Sequence, residues 1–283
     1  MTWTLSESVA EFQQHAGPFL RGRPVENTVL LTLAHQLAAG GAAGGDPACA
    51  PRFGWWRPGP GEPVAGAYAQ TPPQPLRLGA MPARAAAELA EAVVGQEQPG
   101  VGGPVAAARA FADRWAELAG ARVTVNQAHR LYRLAELAAP TGVAGRPRAA
   151  VAADTELLVR WFGEFFEQVG FVAYDVPGIV ARRLAARGVF LWEDAAGRPV
   201  ALAGLSEVLA GTTRIGQVYT PAEARGRGYA SALVAEVSAV GRERGADEVL
   251  LFTDLANATS NSIYQRIGYR PVEDSLLLDF TAG

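Results

Sequence analysis

Arg225-Gly226-Arg227-Gly228-Tyr229-Ala230 sets two glycines between a strand-like run ending Val218-Tyr219-Thr220 and an apolar-periodic stretch that begins near Ser231. A turn of small residues opening a helix lets backbone approach a ligand, and the first N–H groups of that helix, lacking intrahelical acceptors, then face an anion. The chemistry on offer is phosphate binding. Residue types exclude two nucleotide sites: the chain has no lysine for a Walker loop, and Ser231 stands where a dinucleotide fingerprint needs its third glycine.

Downstream, Glu248 to Asp254 reads as a strand, followed by Asn257, Asn261 and Tyr264 on a helical run and then by Ile267-Gly268-Tyr269. The two motifs in this order resemble the GNAT superfamily of CoA-dependent N-acetyltransferases. There an Arg-x-x-Gly-x-Ala turn follows the fourth strand, and an Asn-x-x-Tyr helix ends in Gly-aromatic before another strand.

The resemblance implies acetyl-CoA as donor and a primary amine on a small molecule as acceptor, with a protein amine as the lesser choice. It assigns the pantetheine arm to a splayed strand end at Val218, Tyr219 and Thr220, with the Val218 N–H polarising the acetyl carbonyl. The pyrophosphate falls to the amides of Arg225, Gly226, Arg227, Gly228, Tyr229 and Ala230. Asn257 and Asn261 would bond the CoA arm, and Tyr264 would give the departing thiolate its proton. The residues themselves also allow Asn257 and Asn261 to be helix caps and Tyr264 to be a packing aromatic. Where some relatives carry a strand glutamate as general base, this chain has Arg214; Glu207, Asp254 or a water-mediated route would substitute. A non-catalytic acetyl-CoA-binding or partner-binding protein is the alternative reading.

Around these motifs the sequence repeats itself. Trp56-x-x-x-x-Gly61-x-Pro63-Val64-Ala65 recurs as Trp192-x-x-x-x-Gly197-x-Pro199-Val200-Ala201, an aromatic strand entering a Gly/Pro turn and leaving through a second strand. The flanking patterns also recur: a strand and two helices before the hairpin, then strand, helix, and further strands and helices. The expected fold is α/β (α+β), two tandem GNAT-like domains, each a mixed, mostly antiparallel sheet flanked by helices. The Gly/Pro-rich stretch Thr141 to Pro147 sets the boundary, giving a degenerate domain at 1–140 and a catalytic one at 141–283. Matching Pro82 to Pro221 puts Ala86 opposite Arg225 and Leu89 opposite Gly228, so the first copy is expected not to bind CoA.

In the second half, helices are expected at Thr155 to Gln168 and Pro177 to Arg187. Trp161, Phe162, Phe165, Phe166, Phe171 and Tyr174 lie where relatives build the acceptor pocket, although helical spacing of the first four also suits a core. His35, among Leu31, Leu33 and Leu37, reads as a core histidine.

Composition bounds the rest. A formal charge of −3 and a pI near 5.7 give no basic field for nucleic acid. Cys49 is the single cysteine, so no intrachain disulfide forms, and the three histidines all lie in the first half, leaving the second without a Ser-His-Asp triad or a His/Cys metal site. No apolar run is long enough to span a bilayer and the amino terminus does not read as a signal peptide. The expectation is a cytoplasmic monomer with no metal, no nucleic acid and no membrane partner.

Overall fold

Each copy of the repeated Trp-to-Ala pattern closes a hairpin, with Trp56 opposite Gly66 and Trp192 opposite Ala201. The computed structural model describes residues 2–41, 50–170 and 175–283. Phe171 and Tyr174 of the expected pocket, and Cys49, lie outside the described residues.

The first half contains β1 (Thr2–Ser6), α1 (Val9–Gly22), α2 (Thr28–Gln36), β2 (Arg52–Arg57), β3 (Gly66–Gln70), β4 (Leu76–Leu78), α3 (Ala83–Ala92), β5 (Gly100–Pro104), α4 (Val105–Ala119) and β6 (Ala121–Leu134). The second contains β7 (Arg146–Ala149), α5 (Thr155–Gln168), α6 (Val176–Ala185), β8 (Val189–Glu193), β9 (Pro199–Leu205), β10 (Thr212–Tyr219), α7 (Tyr229–Glu243), β11 (Glu248–Asp254), α8 (Ala258–Arg266) and β12 (Tyr269–Ala282). Two compact units result: one of residues 1–131, 254–256 and 272–283, the other of 132–253 and 257–271. No helix among the described residues is long and apolar enough to cross a membrane.

In the first unit β1, β2, β3 and β4 pair antiparallel in succession, β4 runs parallel to β5, and β12 pairs antiparallel with β5, Leu277 opposite Gly102. The sequence of β5, Gly-Val-Gly-Gly-Pro, carries little strand propensity and gave no strand signal. Its glycines answer to packing: a β carbon at Gly103 would lie 2.7 Å from Leu78 Cβ. His35 is exposed, because α2 buries Thr28, Leu30 and Ala34 on its other side.

The second unit orders its strands β11-β10-β9-β8-β7, with Tyr132–Leu134, the end of β6, beside β11. Alternation along β9 divides the apolar residues between two cores. Ala201, Ala203 and Leu205 join Leu233, Val234 and Val237 of α7 and Tyr264 of α8; Leu202 joins Leu158, Trp161, Phe162 and Phe166 of α5 and Val180 of α6. Of the six aromatics expected at the pocket, Trp161, Phe162 and Phe166 are therefore core, each buried large side chain contributing about 1.5–3 kcal/mol, and Phe165 packs half-buried beside them.

The start of α5 is fixed by Arg148 of β7, whose guanidinium bonds both Asp154 oxygens at 2.7 and 2.9 Å and Glu193 of β8 at 2.6 Å. These bonds hold the Asp154 carboxyl below its ordinary range. The aspartate also accepts the Val151 N–H, so one cluster locks strand, turn and helix together.

Candidate functional site

The parallel ladder between β10 and β11 runs from Thr212 opposite Glu248 to Ile215 opposite Leu251 and then stops. On its other side β10 continues along β9, Gly216 opposite Gly204 and Tyr219 opposite Leu202, with Gln217 and Val218 left out of both registers. Gln217 has φ +47°, the left-handed region that a residue with a β carbon seldom adopts. This is a β-bulge, whose extra residue bends the strand and releases its backbone from pairing. Polar backbone released in this way needs a partner. Val218, expected to supply the oxyanion contact, sits at this bulge and packs against the core that holds Tyr229 and Tyr264.

Beyond the bulge the chain runs through residues 220–228 to reach α7. Gly226 (φ +76°) and Gly228 (φ +82°) are both left-handed, and Gly228 caps α7 with no side chain bonded to the helix end. The first helical bond is Ala232 N–H to Gly228 O, at 3.0 Å. Among the described residues no acceptor takes the N–H groups of Gly226 through Ser231. A β carbon at Gly226 would meet nothing within 4 Å, whereas one at Gly228 would press on Val143 Cγ2 at 3.2 Å. The Arg225 Nε holds the turn by donating to Thr220 O at 2.9 Å, and Arg227 is exposed with no ion pair among the described residues. The Thr220 Oγ1 is buried without a partner. An exposed row of unengaged N–H groups at a helix start, beside a strand end with an orphaned hydroxyl, fits a pyrophosphate and an amide-bearing arm.

On α8, Asn257 is the helix cap, its side chain accepting the Ser260 N–H at 3.0 Å. Asn261 is drawn into the same framework: its Nδ2 donates to Asn257 O at 2.8 Å, and its Oδ1 accepts from the Tyr132 hydroxyl at 2.9 Å, which in turn accepts from Gln265. Both asparagines thus hold the backbone and framework of α8. Tyr264 is 8 % exposed, and its hydroxyl is pushed up to about 12 by burial, a hydrogen bond with Ser260 acting against that. Its ring meets Tyr269 edge-on at 6.2 Å. Tyr269 donates to Ser238 Oγ at 2.8 Å, since the Ser238 hydroxyl itself donates to Val234 O.

Of the substitute bases, Glu207 is exposed, and Asp254 belongs to the first unit, where it accepts the Ala256 N–H at 2.8 Å. A carboxylate that the sequence did not single out does reach the bulged strand: the Tyr219 hydroxyl donates to Glu164 of α5 at 2.5 Å. Burial first, and this bond second, raise that hydroxyl to about 12. The one available signal was a glutamate inside the aromatic stripe Trp161 to Phe166.

The repeat alignment slips at the corresponding place in the first unit. Ala86 and Leu89 are buried inside α3, and Pro82 caps α3 as Gly228 caps α7. Only residues 79–82 connect β4 to α3, where 220–228 connect β10 to α7. The first unit lacks the glycine turn because the connection is short, not because a leucine replaces a glycine.

Residues 155–269 match the family model described as the acetyltransferase (GNAT) family. The fold is similar to that of a Drosophila protein across 99 % of this chain and 98 % of that one (TM-score 0.69, 14 % identity). It is similar to a GCN5-related N-acetyltransferase from Sphaerobacter thermophilus across 87 % and 84 % (0.62, 20 %). A tandem GNAT protein from the clavulanic acid biosynthesis pathway aligns across 100 % and 99 % (0.55, 16 %). No curated protein sequence matches the chain.

Proposed function

We propose that the second unit, whose residues 155–269 match the GNAT acetyltransferase family model in a fold like that of tandem GNAT proteins, transfers an acetyl group from acetyl-CoA to a primary amine. The observation that carries the proposal is the left-handed turn at Gly226 and Gly228, whose N–H groups through Ser231 have no acceptor among the described residues. These amides would hold the pyrophosphate, with Arg227 adding charge. The strand end that leaves β11 after Ile215 would pair with the pantetheine arm, and the buried Thr220 hydroxyl gains a partner on that side. Asn257 and Asn261 would support this site by shaping α8.

The amine nitrogen attacks the thioester carbon; a C–N bond forms and the carbonyl oxygen takes the negative charge. The Val218 N–H, outside both ladders, would stabilise that oxyanion, a contact worth about 3–4 kcal/mol when well aimed. Collapse breaks the C–S bond, the nitrogen loses a proton and the thiolate acquires one. Tyr264 serves the departing sulfur as a hydrogen-bond donor. With its hydroxyl near 12 and a thiol near 8.5, complete transfer from the tyrosine would cost about 5 kcal/mol, so the net proton comes from the reacting ammonium.

Calorimetric titration with acetyl-CoA, followed by CoA release with an amine panel, tests the reading. One site per chain with amine-stimulated release supports it. One site without turnover marks a non-catalytic acetyl-CoA-binding protein, and absence of binding overturns the donor assignment.

A further inference from the structure

The inference rests on the acyl-transfer reading and concerns the acceptor. Strand alternation places Gly204 and Gly216 on the sheet face that carries α5 and α6, because their neighbours Ala203, Leu205 and Ile215 belong to the α7 core. The two glycines are register partners, and a β carbon at Gly216 would meet nothing within 4 Å. The Gln217 amide lies over Gly204, its Oε1 2.9 Å from where a β carbon would stand, buried and unpartnered. A hollow therefore opens on this face directly beside the bulge.

Its two ends differ in charge. Towards Tyr219 stands Glu164. Towards the end of β9 stand two arginines. Arg214 shares the alternation of Gly216, and its backbone pairs with Ser206, whose Oγ accepts the Arg214 N–H at 2.9 Å. Arg183, from α6, reaches the adjoining residue, donating to Leu205 O at 3.5 Å. That long bond to a carbonyl is the one hydrogen bond of its side chain among the described residues, and no carboxylate there pairs with it. The neighbouring Arg182 carries the ion pair of α6, to Asp175 at 3.7 Å.

Burial pulls Arg183 down from its usual value, and burial plus the charge of Arg183 pulls Arg214 down to about 10. Arg183, desolvated, without a carboxylate partner among the described residues and repelled by Arg214, is costly where it stands, and a bound anion relieves both terms through charge-assisted bonds.

We propose that the acceptor is a small amine bearing an anionic group, carboxylate or phosphate, which Arg183 binds at the Arg214 end of the hollow while the amine lies over Gly216 beside the bulge. Arg214 then takes the strand position of a general base in some relatives to serve recognition. Glu164, at the opposite end, is left facing the ammonium side of such a molecule.

The test uses the full chain with acetyl-CoA, following CoA release with the twenty α-amino acids, a series of ω-amino acids, the methyl ester of each, and 2-aminoethyl phosphate. The expected result is kcat/KM about 100-fold higher for a free acid, or for the phosphate, than for its neutral counterpart, with the preferred arm naming the anion. In Arg183→Met that ratio falls towards one, and thermal stability does not fall, since a repelling charge has been removed. Equal turnover of acids and esters, or a ratio unaltered in Arg183→Met, overturns the proposal. So does loss of stability in Arg183→Met together with an equal drop for both substrate types. Acetyl-CoA binding without turnover of any anionic amine also overturns it, whereas failure to bind acetyl-CoA overturns the proposed function itself.

Discussion

Alanine at Gly226 should weaken acetyl-CoA binding while leaving the fold nearly as stable as before. Forcing a residue with a β carbon into the left-handed region costs about 1–2 kcal/mol, and Gly226 has φ +76°. Residues 225–228 are exposed, and no acceptor among the described residues takes the Gly226 N–H, so the unliganded turn is free to relax in the variant. The added methyl meets nothing within 4 Å, which leaves backbone strain as the whole effect. Binding a pyrophosphate must drive the turn back, and the strain then appears in the dissociation constant, about 5–30-fold weaker. Gly245→Ala is the control. Its φ is +87°, nothing lies within 4 Å of the new carbon, and its N–H is bonded to Arg242 O at 2.9 Å. There the same 1–2 kcal/mol, approximately, is lost from folding stability, with acetyl-CoA affinity unmoved. Calorimetry and denaturant unfolding on both variants decide the matter. A Gly226→Ala protein that binds within twofold of the parent, or that loses as much stability as Gly245→Ala, would refute the assignment of this turn.

Tyr264→Phe should lower kcat by about 10–100-fold with acetyl-CoA affinity little changed, as expected for the loss of one hydrogen bond to a sulfur that becomes charged as it departs. Because the hydroxyl stays protonated up to about pH 12, the parent's rate should rise with pH as the acceptor amine deprotonates and show no falling limb below pH 11, measured by CoA release across pH. Arg148→Met should destabilise the second unit by about 1–2 kcal/mol, less than a fully buried pair, because Arg148 is 28 % exposed. Asp154 titrates below its ordinary value when folded, so its contribution is present above the unfolded carboxylate value and lost as pH falls through the folded one. The parent's unfolding free energy should therefore drop below about pH 4, and the variant's should drop less.

Where a local pattern decides structure, the sequence was a sufficient guide. The bounds Thr155 to Gln168 and Glu248 to Asp254 are those of α5 and β11, set by helical periodicity in one case and a β-branched, apolar run in the other. The glycine turn announced itself because left-handed backbone demands glycine. Three things were hidden, all of them non-local. A strand signal at Ser275 to Phe280 does not say which sheet receives it, and β12 pairs with β5 of the first unit. The bulge at Gln217 depends on β9 and β11 parting company, which no residue type in β10 encodes. Arg214 was legible only as a missing carboxylate; its meaning depends on Arg183, brought from α6 by packing.

The first unit shows how the same plan forgoes the site. Between β4 and α3 the Gly79 N–H bonds Ala67 O at 2.9 Å, and the Ala80 N–H bonds the Asn27 Oδ1 at 2.9 Å. Pro82 then starts the helix without an N–H of its own to offer. The amides of Gly79 and Ala80 are thus taken by the chain, where those of the turn before α7 are the ones proposed to hold a phosphate, and Asn27, with no exposed surface, takes the second of the two. An amide satisfied internally gains nothing from an anion, so the shortened connection and the buried asparagine argue together for one donor site per chain. Asn27→Ala should cost about 1–3 kcal/mol of stability by stranding the Ala80 N–H, with acetyl-CoA stoichiometry and affinity as in the parent. A second binding site in that variant, or weaker binding at the single site, would contradict the separation of roles between the two copies.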